Sequence, residues 1–432
     1  MALNTDVRGG VADRLVAGVE LPRMFLARQK LDGSHIEPKD IPATVFSELS
    51  RDAVAERIKP GMSVAITGGS RGVTNYDIVI HAIVDFVKMR GAHPFIFPAM
   101  GSHGGATAEG QTGILAGYGI TEETMGCPIR ATMETVYLGD TPEGMHIYGD
   151  KFACAADAVI LCNRIKPHTA FEGPYESGLM KMSVIGMGKQ HGAEQVHRDG
   201  FSDLARLLPM IGRVVFDHAP IALGVGLVEN AFDQTCLVRA LTAEEIWQEE
   251  PRLLNYARSR MGKLHTRDLD LLVVDRIGKD MSGDGMDPHI TGRFAVPYMK
   301  GKLQVQHIAV LDLTEETHGN CNGVGLADVT TKRLVDKIDA NATFPNVITS
   351  TVLCTPRIPL FAGSDKACIQ IALRTCNYID REHPRVVRIR DTKHIGEIWM
   401  SEALLAEASA DPNLEVLGAP ELWAFNGDGD LW

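Results

Sequence analysis

Apolar positions along the chain fall into short, near-continuous runs of strand length and longer stretches of helical spacing. Met62–Thr67 (MSVAIT), Pro94–Pro98 (PFIFP), Ala158–Cys162, Ile221–Val228, Leu269–Val274 and Gln304–Leu313 belong to the first kind, and each predicts a buried strand. In Asn75–Met89 the apolar residues stand at 78, 79, 82, 83, 86 and 87. That spacing predicts a helix, which Gly91 closes. Ser202–Val215 and Leu241–Met261 read as further helices, the latter with Glu244, Glu245, Glu249 and Glu250 on its polar side. A short helix is expected over Asp52–Ile58, a helical segment around Ile114–Tyr118, and a strand pair within Thr135–Tyr148. Val386–Ile389 and Ile398–Met400 predict closing strands. Strand, glycine turn, helix and strand succeed one another from Met62 to Pro98, which is a βαβ unit. The fold class expected is α/β, with two α/β domains and the active site in a cleft between them. The first domain is expected over residues 1–266 and the second over 267–432, with the apolar tail around Pro420–Trp423 and Trp432 packing back on the first.

The 432 residues exceed one ordinary core, which agrees with more than one domain. Hydrophobic content of 45% and charged content of 23% are those of a globular, soluble chain. A net charge of −12 and an isoelectric point near 5.7 argue against nucleic acid as a partner. No apolar run reaches the length of a membrane helix and no signal peptide is expected. The eight cysteines form no Cys-x-x-Cys pair, which favours buried thiols in a cytoplasmic protein over a disulfide framework.

Chemistry concentrates from Asp157 to Phe201. The strand-like run stops at Asn163, and His168, Lys181, Lys189, His191 and His197 follow, separated by glycines 173, 178, 186, 188 and 192. Five Lys or Arg face three Glu between Asn163 and Arg198. An acidic chain that collects positive charge at a strand end is expected to bind an anion there; the alternative is a solvated basic loop. Two other strand ends carry candidates. Met62–Thr67 runs into Gly68-Gly69-Ser70-Arg71-Gly72, where Arg71 can fork onto a carboxylate or serve as a structural ion-pair partner. Pro94–Pro98 runs into Gly101-Ser102-His103, with Thr107 as a helix cap. A lone histidine is more often structural, but a glycine-bounded turn after a strand is where open α/β sheets place functional groups.

In order and spacing these residues resemble the nickel-pincer lactate racemase family. Gly101-Ser102-His103 with Thr107 and Glu109 is similar to its Gly-x-His loop, and Ile165-Lys166-Pro167-His168 to its Pro-His. Ser177-Gly178 ahead of Lys181 resembles its Ser-Gly-Gly-x-Lys, and His197 follows Lys181 by the family's sixteen residues. The resemblance covers residues ~60 to 200. It implies a nickel-pincer nucleotide, a nicotinate-derived mononucleotide with two sulfur arms, attached covalently through Lys181, with His197 as the metal ligand. One imidazole beside a sulfur pincer suits square-planar nickel. It further implies His103 and His168 as bases on opposite faces of a 2-hydroxy acid, and Arg71 with Lys279 as substrate-binding residues. Imidazole suits both proton transfers because it titrates near neutrality. The implied partners are a small 2-hydroxy acid and the proteins that make the cofactor, with neither nucleic acid nor membrane. The chain departs from the family pattern at Gly68, where an acid is usual, at the extra residues about Pro174-Tyr175-Glu176, and at Gly178-Leu179-Met180. These changes bear on the substrate more than on the cofactor.

Three other readings compete. TGGSRG resembles the start of a nicotinamide-dependent dehydrogenase, but the later glycine is missing and the second strand ends in Pro98-Ala99-Met100, without an acid for a ribose. His191 and His197 suggest a zinc site, but they stand six apart rather than four. A non-catalytic homologue that carries the cofactor without turnover is the third.

Overall fold

The computed structural model describes residues 7–432 except 71 and 199. Its first strand, β1 (Met24–Gln29), does not join the sheet of the strands that come next in sequence. The chain divides into two compact units, residues 33–261 and residues 1–32 together with 262–432. Residues 1–32 thus fall outside the first domain expected over 1–266.

The unit of residues 33–261 is built on a five-stranded sheet. Its strands are β2 (Ser63–Gly68), β3 (His93–Pro98), β6 (Ala158–Arg164), β7 (Ile221–Glu229) and β8 (Thr235–Thr242), in the order β3-β2-β6-β7-β8. The pairs β2–β3, β2–β6 and β6–β7 are parallel; β7–β8 is antiparallel. The predicted βαβ unit is β2, helix α1 (Tyr76–Met89) and β3. A hairpin of β4 (Thr135–Asp140) and β5 (His146–Asp150) stands apart from the sheet. The apolar runs are continuous because both faces are covered. Val64, Ile66, Ile96, Ile160 and Cys162 enter one core with α1, while Ala65, Phe95, Phe97, Val159 and Leu161 enter another. That second core receives the helices over residues 179–197 and 204–218 and the long helix over residues 243–260. The long helix begins on a capping box, Thr242 with Glu245, so Leu241 and Thr242 end β8 rather than opening the helix.

The other unit holds β9 (Asp268–Ile277), β10 (Gln304–Leu313), β11 (Val329–Thr331), β12 (Leu360–Ala362), β13 (Val386–Ile389), β14 (Glu397–Ser401) and β15 (Leu414–Val416). They form one sheet with β1, in the order β12-β11-β10-β9-β13-β14-β1-β15. β1 lies antiparallel between β14 and β15, with Phe25 and Ala27 in the core, so its apolar residues are buried by strands nearly 400 positions away in sequence. The tail packs within this unit: Trp423 and Phe425 join Val16, Val19 and Leu21, and Trp423 Nε1 donates to Pro22 O at 3.0 Å. All eight cysteines are free. No helix among the described residues is long and apolar enough to cross a membrane.

One glutamate of the long helix, expected on its polar side, is wholly buried. Glu250 accepts from Met180 N at 2.9 Å, and burial pushes its carboxyl up to about 8 against the backbone N–H groups of Met180 and Leu179. Between the ordinary glutamate value of 4.5 and about 8, the folded chain holds a proton the unfolded chain has released. Stability from this group is therefore lost as pH rises through that window. Glu250→Gln should flatten this part of the pH dependence; urea midpoints at about pH 5, 6.5 and 8 check it, and parallel curves for the two proteins would refute it.

Candidate active site

Strand order reverses at β2, since β3 lies on one side of it and β6 on the other. The carboxyl ends of these three parallel strands form the crevice where open α/β sheets bind ligands. β2 delivers Gly68-Gly69-Ser70. The turn is held by tyrosines: Gly69 N donates to the Tyr76 hydroxyl at 2.9 Å, and the Tyr118 hydroxyl donates to Ser70 O at 2.9 Å. A side chain at Gly68 would crowd the core, because a Cβ there would stand 2.7 Å from Leu115 Cδ2 and the leucine would have to shift. Packing thus accounts for the glycine where the family pattern carries an acid. Arg71 lies outside the described residues.

β3 delivers His103 on a loop that turns at once into helix α2 (Ala108–Gly117). Thr107 caps this helix through Gly110 N at 3.0 Å, as predicted. Buried Gln111 donates to Gly101 O at 2.8 Å and to His103 O at 3.2 Å, which ties the loop to the helix. The His103 ring is hydrogen-bonded at Nδ1 to Ser70 Oγ, joining the ends of β3 and β2.

β6 delivers the remaining candidates. Lys166 and Ser177 exchange two backbone hydrogen bonds, at 2.9 and 3.1 Å, and pinch off the loop that carries His168. Inside it the buried Glu176 carboxylate accepts from His168 N at 2.6 Å and Gly173 N at 3.0 Å and pairs with Arg258. His168 Nδ1 accepts from Ala170 N at 3.1 Å, so the neutral ring carries its proton on Nε2. Lys181 ends the helical turn Leu179–Lys181, and the chain continues through a π-helical turn, Met182–Gly186. Such turns are rare and recur at functional sites. Helix α3 (Lys189–His197) then brings His197 back. Its ring lies 5.0 Å from Phe201, and His168 lies 5.6 Å from the same ring. His197 Nδ1 is buried without a hydrogen-bond partner. Burial, and secondarily the Lys181 charge, lower its pKa to about 4, so the imidazole is neutral.

His168, Lys181 and His197 therefore share one wall of the crevice, and His103 sits on the adjoining loop, which Gly101 N ties to Gly186 O at 3.3 Å. Lys279 belongs to the other unit, in the loop after β9, where its ammonium donates to Gly283 O at 2.6 Å. The basic surplus read from Asn163 to Arg198 shrinks in the fold. Arg164 pairs with buried Glu229, and Lys189 is wholly buried against Asp150. His191 stacks on Tyr148 at 4.2 Å, and among the described residues no three His, Cys, Asp or Glu converge as a metal-binding set. Sequence reading passed over Ser70, Gln111, Glu176 and Phe201. Glu176 did carry a signal, as an acid inside the extra residues of a glycine-bounded loop.

Residues 24–205, the span that contains Arg71, His103, His168, Lys181 and His197, match the lactate racemase N-terminal domain. The fold is similar to that of a Thermotoga maritima protein from a structural genomics programme, at 11% identity over 84% of this chain and 99% of that one, with a TM-score of 0.53. It is equally similar to the lactate racemase apoprotein of Thermoanaerobacterium thermosaccharolyticum, at 12% identity over 84% of this chain and 94% of that one, also with a TM-score of 0.53. No curated protein matches the sequence. Residues 24–205 thus match a lactate racemase N-terminal domain, and the α/β fold is similar to that of a lactate racemase apoprotein.

Proposed function

We propose that this protein is a racemase or epimerase of a 2-hydroxy acid that works with a nickel-pincer nucleotide borne on Lys181. The observation that carries the reading is His197: a buried, neutral imidazole with an orphaned ring nitrogen, close enough to Lys181 to feel its charge. A nitrogen so placed lacks a protein partner and holds a lone pair at neutral pH, as a metal ligand requires. A single imidazole, rather than a cluster of ligands, fits nickel that an organic pincer already holds. When bound, the group supplies a hydride acceptor and donor.

The chain's own residues then move the hydroxyl proton and hold the substrate. His168 Nδ1 is engaged by Ala170 N, so exchange of the hydroxyl proton is assigned to its Nε2. Ser70 orients His103 through Nδ1, which leaves Nε2 to exchange the hydroxyl proton. Two imidazoles on different loops suit an inversion that needs a proton taken on one face and returned on the other. Arg71 is assigned the substrate carboxylate. Phe171, buried 4.5 Å from His168, and Phe201 keep water from the reacting carbon.

Co-production with cofactor-making enzymes should give a protein whose intact mass exceeds that of the chain by the organic group. Lys181→Ala should lose that adduct while keeping its fold, and the same adduct on the variant would place the anchor elsewhere. His197→Ala should keep the adduct and lose nickel by elemental analysis; full nickel would remove His197 from the metal.

His103→Ala and His168→Ala should each lower racemisation by roughly 10²–10⁴-fold, as loss of a general base does. Quenched single turnovers sharpen the test, with the yield of 2-oxo acid measured from each enantiomer. The two variants should fail on opposite enantiomers. Failure on the same enantiomer would end the two-face arrangement.

A further inference from the structure

Lys189 stands out among the cations of the central stretch because it reaches no ligand and no solvent. Its side chain is wholly buried, its ammonium lies 3.0 Å from the equally buried Asp150 Oδ2, and it donates to Pro98 O. It also meets Gln111 Oε1 at 3.3 Å. Its backbone is left-handed, with φ 55°, where a non-glycine residue is strained. A buried pair of this kind is a poor source of stability, because desolvation offsets most of its attraction; its best-attested use is to fix registry.

The partners indicate what is being registered. Pro98 ends β3 and Gln111 lies on α2, and Gln111 turns its amide to Gly101 O and His103 O. Asp150 ends β5, and its other carboxylate oxygen caps the next turn through Phe152 N at 2.8 Å and Ala153 N at 2.9 Å. Lys189 itself is the first residue of α3, the helix that ends in His197. One ammonium therefore joins the root of the His103 loop, through Pro98 and Gln111, to the root of the His197 helix. The two segments lie some ninety residues apart in sequence, and this buried ammonium joins them alongside the backbone contact of Gly101 N with Gly186 O.

We propose that Lys189 is a positioning residue that sets the His103 loop against the His197 helix, acting through Gln111. The proposal rests on the roles assigned above to His103 and His197. Lys189 is wholly buried, so it acts through its neighbours. It determines where the proton-transfer imidazole stands relative to the metal-ligand helix, and a misplacement of about 1 Å there can cost on the order of 10²-fold in rate.

Two variants of the full chain separate positioning from plain structural support. Lys189→Met combined with Asp150→Asn removes both buried charges and keeps an oxygen to cap the turn after β5. Gln111→Glu leaves Lys189 and Asp150 paired but takes away the amide that holds Gly101 and His103, so it remains decisive if the double variant does not fold. Hydrogen exchange of the Gly101–Gln111 amides and the NMR titration of His103 are read without cofactor or substrate. A failure there is thus distinct from failure of the racemase reading, which the adduct mass decides. The expected result in each folded variant is exchange faster by about 10-fold or more over Gly101–His103, with a displaced His103 titration. In the loaded enzyme, kcat should fall by about 10²-fold with KM little changed. Parental exchange and His103 titration in Gln111→Glu would overturn the proposal.

Discussion

Three ionisable side chains are buried behind the crevice, and the need to satisfy them organises it. Lys189, Glu176 and Glu250 each lie out of reach of water, where an unpaired charge is too costly to keep. Their partners are largely the backbone of the loops that carry the candidate residues. Glu176 holds His168 N, Glu250 holds Met180 N beside Lys181, and Lys189 holds Pro98 O and the glutamine that fixes His103 O. The long helix over residues 243–260 supplies both Glu250 and Arg258, the partner of Glu176. It therefore fastens both ends of the segment from His168 to Lys181, although it carries no reacting group itself.

Close backbone approach is the second condition. A methyl group on Gly186 would stand 2.7 Å from Ala99 O, so the π-helical turn can rest against the end of β3 only because that position has no side chain. This contact brings Gly101 N to Gly186 O and sets the His103 loop beside the segment that runs from Lys181 to His197. The glycines of the central stretch do allow close approach, as their number suggested, but what approaches at Gly186 is another strand end.

The same physics separates what was legible in the sequence from what was not. The runs at 62–67, 94–98 and 158–162 announced strands because burial on both faces demands continuous apolarity, and those strands do form a parallel sheet. The spacing of His103, His168, Lys181 and His197 marked a family resemblance that the match over residues 24–205 supports. Met24–Gln29 was not expected as a strand, since its partners, Glu397–Ser401 and Leu414–Val416, lie at the far end of the chain. Lys189 and Arg164 counted as positive charge in the sequence because their acids, Asp150 and Glu229, are 39 and 65 residues away.

From the sequence alone came the α/β class, the strand ends that carry the candidate residues, and the identity of four of those residues, because these depend on local pattern and spacing. Only the tertiary structure decided which charges are spent inside the fold, that a side chain at position 68 would crowd Leu115, and which buried acids hold the loops. It also revealed that His197 is neutral with an unpartnered nitrogen. Those properties arise from burial and from neighbours distant in sequence, and a residue's place in the chain carries no record of either.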